Sequence, residues 1–382
     1  MRKKIQLLQQ FSVPLIAGVI VALFWANISP DSYHHLIEKD LFFGFNFHHL
    51  VNEIFMVFFF AIAAVEITQS IQPGGALSPI KTAINPLFAT VGGVLGPVAI
   101  YLGLNVLFGS AELTRGWGIP TATDIALAWL VARFVFGSAH PAVKFLLLLA
   151  IVDDAIGLLI IAIFYPDPLH PTVPAWLLLI LVGMGLSYLF RRMQLKSYWP
   201  YLLIGGALSW IGLFKAHLHP ALALVFIIPF LPHPKKEEAS IFEHDTHDHS
   251  TLSKFEHEWK VFVDFGLFFF GLANAGVEFS GMGTATWLVL AGLLVGKIVG
   301  IYGLGFIAEK VGFPFPEGMD KRDLFVVGII AALGLTVALF VAGAAFTDPE
   351  IQGAAKMGAL FSVIAAALAL IAGKFLLIKK RF

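Results

Sequence analysis

Cysteine is absent from the 382 residues, which excludes disulfides, thiolate metal sites and cysteine nucleophiles together. Charge is scarce as well: Asp, Glu, Lys and Arg make up 13% of the chain, against roughly 25% in an ordinary soluble domain. So few charges cannot coat a soluble chain of this length. Soluble enzymes, nucleic-acid binders and disordered scaffolds are excluded on that ground. No sign dominates either, with 25 basic against 25 acidic residues, so no overall field points to nucleic acid or an acidic substrate. An A-x-A-like cleavage site is also missing behind MRKKIQLLQQ, so the first apolar run reads as a retained helix.

What fills the chain is apolar, 58% of residues at a mean hydropathy of +0.84. Stretches of about 20 apolar residues recur along it, the length that crosses a bilayer as a helix. The reading is an all-α polytopic membrane protein with one membrane domain over 1–382. Twelve spans are expected near 12–28, 47–69, 84–108, 116–136, 142–165, 171–190, 198–214, 217–232, 260–279, 285–307, 323–346 and 354–377. Lys and Arg gather at both termini and in the even-numbered loops, while the opposite side holds Lys39, Arg115 and Lys356. By the positive-inside rule both termini are cytoplasmic. One polar segment, 233–258, interrupts the array as a cytoplasmic loop between the eighth and ninth spans. In it His244, His247 and His249 sit beside Asp245 and Asp248, a composition suited to pH titration or to a transition metal.

The informative residues are charges inside spans, where a carboxylate or ammonium costs roughly 2.5–3.5 kcal/mol on insertion scales. Asp153 and Asp154 sit mid-way through KFLLLLAIVDDAIGLLIIAIFY, otherwise uncharged from Phe145 to Tyr165. Two adjacent carboxylates without bulk water titrate as a coupled pair. Na⁺, a hard cation that prefers oxygen ligands, can replace protons on such a pair. That competition is a chemical basis for exchanging H⁺ against a metal ion. Lys297, the single charge in LVLAGLLVGKIVGIYGLG, needs a counter-charge, with Asp153, Asp154 or Asp124 as partners. Glu53 and Glu66 lie thirteen residues apart on one span, about 20 Å along a helix, so they belong to different places. Glu66 falls towards the cytoplasmic end, as a cation-attracting funnel residue.

Two spans look broken. In GWGIPTATDIALAWL, Pro120 removes a backbone donor, and Thr121 and Thr123 can bond the freed groups. In VVGIIAALGLTVALF, Gly328, Gly334 and Thr336 interrupt the run. Discontinuous helices in the two halves of a chain point to a transport site at the midplane. Asp124 and a nearby cation would neutralise the partial charges of the helix ends.

The segments MVFFFAIAAVE, RGWGIPTATDIALA, LLLAIVDDAIGLLIIAIFY, LANAGV, GLLVGKIVGI and GLTVALFVAGAAF follow one another in this order. On these the chain resembles the NhaA family of bacterial sodium/proton antiporters over nearly its whole length. The ATDIA and IVDDAIG runs are the specific ones. The resemblance implies an inverted repeat whose fourth and eleventh helices unwind and cross at mid-membrane. It implies Asp153 and Asp154 as the Na⁺ and proton site, with Asp154 the central ligand. Thr123 and Asp124 would line the crossing, and Lys297 would pair with Asp153 or compensate helix ends. Glu66, His219 and Glu256 would match funnel or pH-response residues, and Glu53 is grouped with them as a candidate.

The implied function is electrogenic secondary antiport by alternating access, Na⁺ out against H⁺, without cofactor and without enzyme activity. The expected partners are Na⁺ and H⁺ as substrates, the lipid bilayer and no nucleic acid, with Li⁺ and a homodimer left open. The location implied is the bacterial inner membrane. The competing readings are a sodium-coupled symporter of an organic solute, a passive channel, and an intramembrane aspartyl protease. The last needs YD and GxGD motifs, which do not occur here. The chain also departs from the family pattern. Thr68, Gln69 and Ser70 replace a charged run after Glu66, Ile298 follows the buried lysine in place of Pro, and Glu53 replaces an aspartate. The uncharged run suggests a weak link between Glu66 and Glu256, and hence a shallow pH profile dominated by Na⁺/H⁺ competition.

Overall fold

The computed structural model describes residues 12–42, 45–72, 75–78, 80–167, 170–233 and 250–381. The basic N-terminus and the loop residues His244, Asp245, His247, Asp248 and His249 lie outside the described residues. In chain order, α1 (Val13–Ile28) and α2 (Pro30–Glu38) lead into an antiparallel hairpin of β1 (Asp40–Phe42) and β2 (Phe45–Asn46). Next come α3 (Phe47–Ile71), α4 (Ile80–Phe108), α5 (Glu112–Thr121), α6 (Ile125–Phe136) and α7 (Pro141–Phe164). They are followed by α8 (Pro174–Arg192) and α9 (Tyr201–Lys215), then by short 3₁₀ turns at Pro220–Leu222 and Ile228–Phe230. The last third holds α10 (Thr251–Asn274), α11 (Thr284–Lys310), α12 (Lys321–Ala331), α13 (Thr336–Ala345) and α14 (Pro349–Phe375).

Helices prevail because lipid offers no partner for a peptide group, so each span must satisfy its own backbone. Among the described residues six helices, α3, α4, α7, α8, α11 and α14, are long and apolar enough to cross a bilayer. The number is eight if the bent pairs α5/α6 and α12/α13 each count as one span. Large apolar side chains such as Val106, Leu181 and Val299 stay exposed on these helices, as a lipid-facing surface requires.

Three features differ from the sequence reading. The β1–β2 hairpin adds strands to a chain expected to be wholly helical. Residues 217–232 form 3₁₀ turns rather than an α-helix, because Pro220, Pro229 and Pro232 withhold donors that an α-helix needs. Lys356, assigned to an outer loop, lies inside α14 and is 6% exposed.

Four glycines fix the approach of α4 to α11. A Cβ on Gly92 would come within 2.0 Å of the Gly300 carbonyl oxygen, and one on Gly96 within 2.2 Å of the Gly296 oxygen. Reciprocally, a Cβ on Gly300 would meet the Gly92 oxygen at 1.9 Å. Small residues four apart on both helices therefore let the two backbones touch. Gly300→Leu should separate them at a cost of at least about 1–3 kcal/mol for overpacking. The expected result is loss of the monodisperse detergent peak in size-exclusion chromatography, and an unchanged peak would refute this packing argument.

His140 caps α7: its Nδ1 accepts from the Ala142 amide at 3.1 Å, so that nitrogen must stay unprotonated. Burial holds its pKa below the usual 6.5, and the Asp323 carboxylate, 4.0 Å from Nε2, pulls it partly back up. The unfolded chain therefore binds the proton more readily than the native one. The stabilisation is complete above about pH 6.5 and is lost as pH falls through the window below it. His140→Asn, which keeps a capping oxygen but cannot titrate, should flatten the acid limb of melting temperature against pH.

Candidate functional site

The two bent pairs meet at their breaks. Pro120 and the 3₁₀ winding of α5 end that helix at Thr121, and the chain runs extended to Asp124 before α6 starts. The second break spans 332–335 between α12 and α13. The pairs bend by 48° and 49°. Their extended links cross and bond: the Asp124 amide donates to the Leu333 oxygen at 2.7 Å, and Thr123 Oγ1 donates to the Ala331 oxygen at 2.9 Å. Gly334 is needed because a Cβ there would stand 3.0 Å from the Ala122 oxygen and 2.6 Å from a Leu293 methyl carbon. Ser362 braces the second break, accepting from the Gly334 amide at 3.1 Å and donating to the Ala359 oxygen at 2.6 Å.

The two helix N-termini at the crossing share one carboxylate. Asp124 caps two N-termini at once: Oδ1 accepts from the Leu127 amide at 3.1 Å, and Oδ2 from the Thr336 amide at 3.3 Å. A carboxylate between two positive helix ends is favourable from both sides. Lys297 reaches the same place from α11, where Gly292–Lys297 widens into a π turn. Its Nζ donates to Thr123 Oγ1 and pairs with Asp153 Oδ2, and neither Lys297 nor Asp153 exposes its side chain. A buried ion pair of this kind needs further hydrogen bonds to hold it, and Thr123 supplies one.

Asp154, the next residue on α7, points elsewhere. It lines a cavity of about 580 Å³, together with Glu66, Thr123, Asp124, Asp264 and Thr336, with Lys260 at its rim. Among buried side-chain oxygens, Asp154 Oδ1 and Asp153 Oδ1 have no hydrogen-bond partner. Buried polar atoms are normally satisfied, so a cavity-lining carboxylate whose buried oxygen has no partner is suited to a cation or a proton. Thr123, Asp124 and Asp154 offer only oxygen, the donor set of a hard ion.

The structure thus brings together Thr123, Asp124, Asp153, Asp154, Lys297, Gly334 and Thr336. At the cavity mouth Lys260 Nζ lies 3.6 Å from Glu66 and 4.0 Å from Glu256. Gln69 Nε2 donates to Glu256 at 2.8 Å, so one residue of the uncharged run reaches Glu256, while Lys260 is the group that faces both carboxylates. Glu53 and His219, grouped with the funnel in the sequence reading, do not line this cavity. The Glu53 carbonyl accepts from Trp210 Nε1 at 3.0 Å, and the His219 ring bonds the Tyr165 backbone and packs edge-on against Phe340. Sequence reasoning missed Gln69, Lys260 and Ser362. Lys260 stands four residues after Glu256 on one helix face, a spacing that could have signalled it. Ser362 has no local signal.

The comparisons agree with one another. Residues 4–376 match the family described as Na⁺/H⁺ antiporter 1. A Na⁺/H⁺ antiporter NhaA of Desulfitobacterium hafniense is 64% identical over 379 residues, covering 99% of this chain and 97% of that one. One from Geobacter sulfurreducens is 63% identical over 380 residues and covers both chains fully. The solved sodium proton antiporter MjNhaP1 from Methanocaldococcus jannaschii shares the fold at a TM-score of 0.57 and 17% identity, across 97% of this chain and 92% of its own. The cavity alone has room for an organic solute, as a symporter would need, and relatives of this identity and coverage decide otherwise. The chain belongs to the NhaA family of sodium/proton antiporters and is a secondary transporter, not an enzyme.

Proposed function

We propose that Asp154 is the Na⁺-binding carboxylate of the exchange cycle, reached from the cytoplasm through the cavity. The observation that carries this reading is that Asp154 lines the cavity while its buried Oδ1 has no hydrogen-bond partner. Na⁺ takes its place on the Asp154 carboxylate only as the proton there leaves. Asp153 and Lys297 form the second titrating element: while they pair with each other, one proton is held on the ammonium. Two proton carriers against one cation make the cycle electrogenic, with protons entering the cell as Na⁺ leaves. Thr123, Asp124, Gly334 and Thr336 hold the crossing that rearranges between inward- and outward-facing states.

The wider reading is twelve spans in an inverted repeat, supported by two matched breaks bent by nearly equal angles. The six long helices and two bent pairs are joined in it by α1, α9, α10 and the 3₁₀ segment. Wound at ~2.0 Å per residue, His219 to Leu231 reaches about 26 Å, close to the ~30 Å bilayer core. Placement in the bacterial inner membrane with both termini cytoplasmic, Li⁺ as a second cation and a homodimer belong to this reading. The transported ions are the only small partners it needs.

Everted vesicles with a ΔpH-reporting dye test it: Na⁺ and Li⁺ should collapse the gradient and K⁺ should not. No response to Na⁺ would sink the assignment. The mouth adds a regulatory expectation, because Lys260 faces both Glu66 and Glu256 and Gln69 holds the Glu256 carboxylate beside it. Gln69→Ala should make the rate change less steeply with pH at saturating Na⁺. Deleting residues 244–250 distinguishes a sensor in the His-rich loop, since steepness would then vanish with the deletion instead.

A further inference from the structure

A second constellation lies apart from the transport cavity, where the α7–α8 connection meets the segment after α9. Asp167, His170 and His217 each offer one ligand atom there, and the three atoms lie within 4.8 Å of one another. His170 Nδ1 is 2.8 Å from Asp167 Oδ2, and the two imidazoles stack with centroids 4.9 Å apart and planes 15° from parallel. His170 is exposed and the other two are half-buried, so solvent reaches the group.

The backbone holds these side chains in register. The Asp167 amide donates to the His217 oxygen at 3.0 Å, and the Val173 amide to the Ala216 oxygen at 3.2 Å, tying the two connections together. Tyr165, two residues before Asp167, is anchored by donating to the Arg115 oxygen at 2.6 Å and accepting from the Gly118 amide at 2.8 Å. His217 adopts a left-handed backbone at φ +59, uncommon for a residue other than glycine. That conformation carries its ring to His170.

We infer that Asp167, His170 and His217 form a binding site for a borderline divalent transition metal such as Zn²⁺. Two imidazole nitrogens and one carboxylate oxygen suit Zn²⁺, Co²⁺ or Cu²⁺ and are a poor set for Na⁺ or Mg²⁺. A tetrahedral ion with bonds of about 2.0 Å spaces its ligand atoms roughly 3.3 Å apart. The His170–Asp167 pair at 2.8 Å would open slightly and any pair as wide as 4.8 Å would close, and exposed His170 can make both shifts by side-chain rotation. The fourth position would hold water. A stacked imidazole pair without a metal gains little and repels when protonated, whereas a shared ion gives both rings one partner. The site stands on the face opposite the cavity mouth in the orientation proposed above.

The test uses full-length, tag-free protein in detergent in which His244, His247 and His249 are all Asn, which removes the competing loop histidines. Isothermal titration with Zn²⁺ should give one site per chain, and Co²⁺ should give the visible spectrum of a tetrahedral nitrogen/oxygen site. His170→Ala and His217→Asn should each weaken Zn²⁺ binding about tenfold or more. Asn tolerates the left-handed backbone at 217, and position 170 is exposed, so both variants should fold with an unchanged melting temperature in chelator. Zn²⁺ should raise the melting temperature of the parent and not of either variant. Absence of a Zn²⁺ site in the parent, or binding that neither variant weakens, overturns the inference.

Discussion

Asp154→Asn should reduce Na⁺-driven proton movement to the level of vesicles without transporter, while protein abundance and detergent behaviour stay normal. The amide keeps the shape of the side chain and fits the same place at the head of the cavity. It can no longer carry the negative charge that attracts Na⁺, nor release the proton that Na⁺ displaces. Because Oδ1 of Asp154 has no hydrogen-bond partner, the substitution breaks no bond that holds the fold. The expected pattern is therefore a fully folded, silent protein. Dye-monitored ΔpH collapse by Na⁺ at a normal rate in Asp154→Asn vesicles would falsify the assignment. Asp153→Asn should also abolish exchange, but with a loss of stability, since it leaves the Lys297 ammonium buried without its partner.

Lys297→Ala should produce the largest stability loss of any single change at the crossing. It removes one member of a fully buried pair and strands the Asp153 carboxylate, a defect that costs about 3–5 kcal/mol in other buried pairs. It also deprives Thr123 of its contact, beside the Thr123 bond to Ala331 that joins the two breaks. A clear drop in melting temperature in detergent is expected. The double variant Asp153→Asn/Lys297→Ala, which has no stranded charge, should regain part of it, and the cycle of four proteins measures the coupling. The same lysine bears on charge transfer. If it holds the second proton, currents on a solid-supported membrane after a Na⁺ jump should fall in the rescued double variant even where folding recovers. Recovery of full current with recovery of stability would show that the pair acts only as a brace.

Much of the site was legible because lipid makes charge conspicuous. A carboxylate pair, one lysine and a proline-broken ATDIA run stand out in apolar spans, and the structure brings these residues to one crossing. Glu53 and Glu66 were separable by helix arithmetic alone. The spatial sense of neighbouring residues was not legible: Asp153 turns to Lys297 while Asp154 turns to the cavity, a 100° rotation between successive residues whose outcome depends on packing. The glycine contact of α4 and α11 was hidden because glycine-rich apolar runs are common and only pairing distinguishes them. Residues 217–232 read as a span by hydropathy, which registers apolar content and is blind to how prolines change the winding. At the mouth, the bond from Gln69 to Glu256 was not legible, because an amide's capacity to donate is not visible in a charge count.

The glycine contact between α4 and α11 has a mechanical meaning. Two backbones in direct touch cannot slide without lifting one glycine row over the other, so these helices behave as one rigid piece. The Asp153-bearing helix α7 is tied to that piece by the buried Lys297–Asp153 pair and passes α4 at Thr90, whose Oγ1 lies 3.4 Å from the Leu149 oxygen while donating to the Pro86 oxygen at 2.9 Å. Lys297 and Asp153 therefore ride on the same body, and a rocking motion of that body against its surroundings leaves their separation unchanged. Any parting of the two must begin with a local event: an ion arriving at Asp154 or a proton moving along the Lys297–Asp153 contact. Charge displacement should accordingly precede the change of facing in time. In a rapid Na⁺ jump, the first electrical transient should survive a crosslink between this body and its surroundings that stops turnover.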